Sequence, residues 1–125
     1  MIIYVDRSNV VPGKLAELKS AIVELAAFLE ANEPRLLAYN VYFDPDGTQM
    51  TVIHVHSDAQ SLEWHMKVGG QKFPAFAKYL DMQSIDVYGQ PGPTVLAQLR
   101  VKAETLGTGL VRVHEHHAGF ERAAL

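Results

Sequence analysis

The order in which strand-like and helix-like patterns follow one another is the feature that most restricts the fold of this chain. An apolar, β-rich run at residues 2–5 opens the sequence and predicts a first strand. A helix is predicted next, because leucine and isoleucine recur at steps of three and four residues and form one buried stripe. The residues of this stripe are Leu15, Leu18, Ile22, Leu25 and Leu29.

The following segment predicts a hairpin, a second helix and a fourth strand. The runs LLAYNVYFD and QMTVIHVH are typical of strands, and the DPDGT between them has the residues of a tight turn. Ser57 is expected to cap the second helix, with Gln60 completing a capping box. This helix is interrupted at Gly69-Gly70 and is expected to resume near Phe73, before the strand MQSIDVYG. The resulting order, β-α-β-β-α-β, is that of the ferredoxin-like unit, an α+β fold.

The last part of the chain predicts an extension of this unit. After the turn-rich linker QPGPT, apolar residues at helical spacing from Leu96 to Leu106 predict a third helix, which Gly107 ends before a short strand and a tail. We expect residues 1–90 to form one ferredoxin-like domain. Residues 91–125 are expected to form an appendage that packs on the same domain or on a partner, because so short a segment buries too little surface to fold alone.

Both faces of the predicted sheet carry apolar residues. Two helices cover only one face, and soluble monomers rarely expose a large apolar patch. We therefore predict a homodimer closed sheet against sheet, as a dimeric α/β barrel. The apolar residues that alternate between the two faces are Ile3, Val5, Ile53 and Val55, and Tyr4, Met50 and Val52.

Composition narrows the partners and the compartment. The net charge is −3 and no Lys/Arg run is present, which argues against nucleic acid and against an anionic membrane surface. The chain has no cysteine, which excludes disulfides, iron–sulfur clusters and thiolate nucleophiles. No apolar run approaches the roughly 20 residues of a membrane span, and the N-terminus does not read as a signal peptide. A cytoplasmic protein is expected.

Residues 1 to about 90 resemble the antibiotic biosynthesis monooxygenase (ABM) domain, a family of dimeric α/β barrels. The similar pieces are VPGKLAEL, EPRLLAYNVYFDPDG and HVHSDAQSLEWHMK. The family's strand-to-helix junction reads Glu-x-Trp-x-Ser/Asp-x-x-x-Leu-x-x-His, and Leu62 and His65 match its last two positions. His54 and His56 stand where the family often has Glu and Trp. The resemblance implies an oxygenase without a bound cofactor that acts on a small aromatic or quinol-type molecule.

The histidines of this junction are the candidate site. His54 and His56 lie two apart on a strand and share a face, and His65 lies on the following helix. If the helix covers that face, the three imidazoles converge in one cavity. Histidine ionises near neutral pH, so His65 is the candidate general base, while His54, His56 and the aromatic Tyr39 are candidates for substrate binding. The alternative is that each imidazole is an ordinary hydrogen-bonded side chain.

We expect no metal and no cofactor. Three histidines suit a transition metal, but the family that the chain resembles works without one. The haem-degrading branch of the family has a strand-one Asn, a helix Trp and a later ligating His. Asp6 falls at the Asn position, His65 near the Trp and Phe73-Pro74 near the ligand, so the resemblance does not extend to haem binding. Asp6 and Arg7 are expected to end the first strand in solvent, and the HEHH of the tail lacks the spacing of HExxH and is expected to be solvated.

Whether the protein is an enzyme stays open at this point. One alternative is a non-catalytic dimeric protein of the same fold that binds a small molecule or responds to stress. Another is an isomerase of a small carbonyl compound, which would use the same base without oxygen. The sequence names neither the substrate nor the pathway.

Overall fold

Five strands and three α-helices alternate along residues 1–122, the part of the chain that the computed structural model describes. Two 3₁₀ helices, Gly69–Gln71 and Phe73–Lys78, link the second helix to the fourth strand. The predicted order β-α-β-β-α-β and the α+β ferredoxin-like class are confirmed. The elements are β1 (Ile2–Val10), α1 (Leu15–Asn32), β2 (Leu36–Phe43), β3 (Gln49–His56), α2 (Ala59–Val68), β4 (Leu80–Tyr88), α3 (Gly92–Leu106) and β5 (Val111–His114).

The sheet places β1 at its centre. The strand order is β2-β3-β1-β4-β5, with antiparallel pairs throughout except for the parallel pair β4–β5. Tyr4 lies opposite His54 of β3 and Val87 of β4, and Asp6 lies two residues further along β1. Paired residues share a face of the sheet, and so do residues two apart in one strand. Tyr4, Asp6 and His54 therefore point to the same side.

All three helices pack on that side of the sheet. Each contributes a fully buried leucine to a single core, namely Leu18, Leu62 and Leu99. Burying a side chain of this size stabilises the fold by roughly 1.5–3 kcal/mol. The polar side chains described below are thus enclosed between the sheet and an apolar layer of helices.

The C-terminal segment joins the same core. Val95, Leu99 and Leu106 of α3 are buried with the helices of the ferredoxin-like unit, and β5 adds to the sheet at β4. Gly107 ends α3 against β4, where a Cβ would lie only 2.0 Å from the Met82 carbonyl oxygen. No larger residue fits this approach. The division of the chain at residue 90 stays a prediction, and residues 123–125 of the expected appendage lie outside the described residues.

The opposite face of the sheet is partly apolar. Ile3 and Ile53 are half-buried there, and Tyr42 and Tyr88 are 55% and 42% exposed. Near the β5 edge of this face, the buried carboxylate of Asp86 binds three cationic or imidazole side chains: Arg7, Arg112 and His114. No α-helix of residues 1–122 is both long and apolar enough to cross a membrane.

Three local expectations were wrong. Asp58, not Ser57, caps α2, because its carboxylate accepts a hydrogen bond from the Ser61 backbone N–H at 2.8 Å. The segment from Phe73 onward forms a 3₁₀ helix and does not resume the α-helix. Strand β1 runs on to Val10, so Asp6 lies in the middle of the strand and is buried instead of solvated.

Candidate active site

The histidines of β3 and α2 meet between the sheet and the helices. The ring centroids of His54 and His65 are 5.3 Å apart, and those of His56 and His65 are also 5.3 Å apart. All three side chains are at most 1% exposed. His54 and His56 share the helix-facing side of β3, and α2 crosses above them because the junction after His56 turns back over the sheet.

His65 links a carboxylate to a phenol. Its Nδ1 lies 2.8 Å from Glu33 Oε1, and its Nε2 lies 2.9 Å from the Tyr4 hydroxyl oxygen. With Glu33 ionised, Nδ1–H donates to the carboxylate and Nε2 accepts the Tyr4 O–H. The three residues then form a chain in which a proton leaving Tyr4 would move to His65, and Glu33 would stabilise the imidazolium.

Lys102 connects this series of hydrogen bonds to a second series, which runs through Asp6 to His54. Its ammonium donates to the Tyr4 oxygen at 3.2 Å and to Asp6 Oδ2 at 3.2 Å. Asp6 Oδ2 also accepts a hydrogen bond from His54 Nε2 at 2.9 Å. The result is one continuous buried network from Glu33 through His65, Tyr4, Lys102 and Asp6 to His54.

His56 is anchored separately. Ser61 donates its hydroxyl hydrogen to the Arg35 carbonyl oxygen, so His56 Nδ1–H donates to Ser61 Oγ, at 2.9 Å. Within the described residues, His56 Nε2 and His54 Nδ1 are buried without a hydrogen-bond partner. His65 is thus fixed at both ring nitrogens, whereas His54 and His56 are each fixed at one and keep a bare nitrogen lone pair in the interior.

Burial sets the protonation states. Desolvation lowers the pKa of His54 to about 3, that of His56 to about 2 and that of His65 to about 3, so all three imidazoles are neutral at pH 7. Burial also raises the pKa of Glu33 to about 7 and lifts that of Tyr4 well above its usual value.

Asp6 is the stable negative charge of the network. Burial alone would raise its pKa, but the Lys102 ammonium and the hydrogen bond from His54 outweigh that effect and lower it to about 2. Asp6 and Lys102 therefore form a buried ion pair at pH 7. Such a pair must be hydrogen-bonded on both sides to be tolerated in a core, and here it is.

A small cavity lies beside this network. Its volume is about 30 Å³, close to that of one water molecule. Asp6, Tyr39 and Lys102 supply its polar wall. A larger groove of about 350 Å³ lies between α2 and α3. Phe73 and Lys102 line both the cavity and the groove and therefore lie between them. The remaining lining residues of the cavity are apolar: Ile22, Leu25, Met50, Val52, Phe76, Leu80, Met82 and Leu106.

The three imidazoles are also the group within residues 1–122 that could hold a metal ion. One ring nitrogen from each of His54, His56 and His65 lies within 4.8 Å of the others. Both ring nitrogens of His65 are engaged in hydrogen bonds, so coordination would require either Tyr4 to release Nε2 or Glu33 to release Nδ1. The geometry as it stands suits hydrogen bonding better than coordination.

The structure brings the four predicted site residues together. Tyr39 meets His54 edge to face, with ring centroids 5.0 Å apart, and lines the cavity. Trp64 lies on the outer side of α2 and is 52% exposed. The roles of His54, His56, His65 and Tyr39 in binding or catalysis stay predictions.

Sequence reasoning missed Tyr4, Glu33 and Lys102. Tyr4 and Asp6 alternate on one face of β1, which was a usable signal. Lys102 falls on the apolar stripe of α3, three residues after Leu99, where a charged residue is out of place. Glu33, which follows the end of α1, carries no such signal.

The histidines of the tail lie elsewhere. His114 binds Asp86 on the outer face of the sheet, with Nε2 2.8 Å from Oδ1, and His116 and His117 are exposed. None of the three approaches the buried network.

The fold can be compared with that of known proteins. The chain has the ferredoxin-like fold of the antibiotic biosynthesis monooxygenase-type proteins, as its likeness to solved structures shows. No protein-family model matches the sequence, and no curated protein matches it.

Three solved structures illustrate the likeness. MupZ from Pseudomonas fluorescens is 21% identical, with a TM-score of 0.75 over 97% of this chain and 93% of that one, so the match includes the C-terminal extension. A protein from Deinococcus radiodurans, described as a candidate antibiotic biosynthesis monooxygenase, is 18% identical, with a TM-score of 0.62 over 74% and 95% of the two chains. SnoaB from Streptomyces nogalater, described as a cofactor-independent oxygenase, is 19% identical, with a TM-score of 0.61 over 74% and 94%. At these identities the likeness establishes the fold alone.

Proposed function

We propose that this protein is a cofactor-independent monooxygenase that oxidises a small aromatic or quinol-type substrate with His65 as its general base. The observation that carries the proposal is the buried hydrogen-bonded series Glu33–His65–Tyr4, which Lys102 connects to a cavity. The protein also has the same fold as SnoaB, which is described as a cofactor-independent oxygenase.

The chemistry requires a base in a dry site. A phenol or hydroquinone must lose its proton before it readily passes an electron to molecular oxygen. Neutral His65 has a lone pair on Nε2 that accepts the Tyr4 O–H, and the Tyr4 oxygen in turn accepts a hydrogen bond from Lys102, which lines the cavity. The substrate proton would pass to the Tyr4 oxygen while the Tyr4 proton passes to His65. One oxygen atom then enters the substrate, the other leaves as water, and the substrate supplies the electrons.

His54, His56 and Tyr39 complete the proposed substrate site. His54 Nδ1 and His56 Nε2 have bare lone pairs and do not line the cavity as it stands; they would accept hydrogen bonds from a second substrate hydroxyl once the site opens. Tyr39 presents an aromatic ring at the wall of the cavity. The 3₁₀ segment, residues 69–78, has to move outward, because small-molecule pockets are usually about 300–1,000 Å³ and this cavity is far smaller.

That small volume favours a second candidate of a different class. A closed interior fits a non-catalytic dimeric protein that keeps the fold and binds a small molecule or serves in a stress response. Isomerisation of a small carbonyl compound would use the same base and would proceed without oxygen. Oxygen uptake with a panel of hydroquinones separates these candidates, since only the monooxygenase consumes oxygen in proportion to product.

The decisive variants replace the base and its partner. His65→Ala should lower turnover at least tenfold, as expected for loss of a general base. Glu33→Gln keeps a hydrogen bond to His65 but removes the charge that stabilises the imidazolium, and should lower turnover comparably. His116→Ala, on the exposed tail, is the matched control. Unchanged oxygen uptake by folded His65→Ala would eliminate His65 as the base.

The assembly is proposed to be a homodimer that works in the cytoplasm. The outer sheet face carries half-buried Ile3 and Ile53 beside exposed Tyr42 and Tyr88, which is the surface that a second copy would cover. Ile53→Arg should shift the protein to a monomer in sedimentation-velocity experiments. A wild-type monomer at micromolar concentration would contradict the dimer.

A further inference from the structure

The ammonium of Lys102 stands at the boundary between the closed cavity and the open groove. Lys102 is 6% exposed, and it lines both spaces together with Phe73. It comes from α3, which lies outside the part of the chain that resembles the ABM domain. A lysine this deeply buried requires partners for its charge.

Two of its three N–H groups have such partners. They donate to the Tyr4 oxygen and to Asp6 Oδ2, each at 3.2 Å. The third N–H has no hydrogen-bond acceptor among residues 1–122. Nζ also lies over the face of the Phe73 ring, 4.2 Å from its centroid. A ring face is a weaker partner for a cation than an anionic oxygen.

We propose that Lys102 binds the anionic oxygen of the substrate through its third N–H, and that the protein therefore selects a phenol or enol, which it holds as the anion after deprotonation. The inference deepens the proposed function and rests on the same site. In this structure the Phe73 ring packs against the Lys102 ammonium, and it would move aside when the substrate oxygen binds there. Helix α3 thereby contributes a substrate-binding residue to a site that is otherwise built from the sheet, α1 and α2.

The charges of the network support this assignment. Asp6 already balances Lys102, so the closed site holds no unpaired cation. A substrate that enters neutral and gives its proton to the Tyr4–His65 chain leaves an anionic oxygen beside Lys102 and an imidazolium beside Glu33. Each new charge then has an opposite charge within hydrogen-bonding distance, and the proton transfer changes no net charge in the interior. A substrate that has no acidic proton to release, or one that carries a positive charge, would gain nothing from this arrangement.

The test is direct binding of a chromophoric phenol under anaerobic conditions. The probe is 4-nitrophenol, whose anion is yellow and whose neutral form is colourless, with 4-nitroanisole as the analogue that cannot ionise. Wild-type protein should bind the anion preferentially and lower the apparent pKa of the bound probe. Lys102→Met should weaken anion binding by about tenfold or more, as expected for loss of a hydrogen bond to a charged group.

Two controls keep the outcome interpretable. Lys67→Met removes a lysine that lines the same groove but is exposed, and should leave anion binding unchanged. Because Lys102→Met leaves Asp6 buried without its cation, the double variant Asp6→Asn/Lys102→Met is compared with Asp6→Asn if the single variant does not fold.

Several results would overturn the assignment. They are equal anion affinity with and without Lys102, an equal loss in Lys67→Met, equal or tighter binding of 4-nitroanisole, and no binding of the anion by wild type at millimolar concentration. The measurement needs neither oxygen nor turnover. Absence of oxygen uptake would therefore count against the monooxygenase and leave the anion-binding result standing.

Discussion

The three neutral imidazoles in the core make this fold sensitive to acid. In the unfolded chain a histidine takes up a proton as the pH falls below its ordinary pKa of 6.5, whereas His54, His56 and His65 stay neutral in the folded protein down to about pH 3, 2 and 3, respectively. The unfolded state therefore binds more protons in this window. The free energy of unfolding must fall as the pH falls from about 6.5.

The size of the effect follows from counting protons. Each proton taken up only by the unfolded state removes roughly 1.4 kcal/mol per pH unit. Glu33 acts in the opposite direction, because burial raises its folded pKa from 4.5 to about 7 and the folded state then binds one extra proton between these values. The unfolded state therefore binds three extra histidine protons and the folded state one extra Glu33 proton. The net difference of two protons lowers the free energy of unfolding by roughly 2.7 kcal/mol for each pH unit of acidification. From pH 6.5 to 4.5 the loss is roughly 5 kcal/mol, comparable to the whole stability of a small domain.

The assay is urea denaturation at a series of pH values between 7 and 4.5. The slope of the free energy of unfolding against pH reports the net proton uptake and is insensitive to a constant packing loss. His56→Asn keeps a donor to Ser61 and should reduce the slope by about one proton. His117→Asn, which changes an exposed histidine, should leave it unchanged.

A slope below one proton in wild type would refute the reasoning, and so would a His56→Asn slope equal to that of wild type. A slope below one proton would mean that His54 and His65 are already protonated in the folded protein, as ion pairs with Asp6 and Glu33, and the neutral base of the proposed mechanism would then be lost as well. An unchanged slope in His56→Asn would mean that His56 is already protonated in the folded protein.

Four further outcomes are expected. Turnover should rise with pH through about 7, because only ionised Glu33 leaves His65 Nε2 free to accept a proton; a profile that is flat from pH 6 to 8 would contradict this. Gly107→Ala should destabilise the protein by roughly 2–4 kcal/mol in urea denaturation, since the new Cβ would meet the Met82 carbonyl, whereas Gly70→Ala has open space and should not. Leu99→Ala should lose roughly 2–5 kcal/mol by the same assay, and exposed Val101→Ala almost nothing. Turnover should survive dialysis against a chelator, and a stoichiometric transition metal whose loss abolishes activity would refute the metal-free mechanism.

The sequence by itself determined the elements and their order. Residues two apart in a strand and three or four apart in a helix must share a face, so the stripe from Leu15 to Leu29 and the pair His54 and His56 could be assigned to faces without coordinates. The expectation that His65 would approach that pair depended only on which side α2 covers. Local spacing was sufficient for these statements because they concern neighbours along the chain.

Only the tertiary structure decided which side chains of the site are hydrogen-bonded to one another. Glu33 reaches His65 across 32 positions in sequence, and Lys102 reaches Tyr4 across 98. Such contacts depend on strand order and helix docking, which no local pattern encodes. Asp6 shows the physical reason most directly: a carboxylate near one end of an apolar strand is expected in solvent, because burial alone would be too costly. It is buried here because a lysine from a distant helix and an imidazole from the adjacent strand bind it.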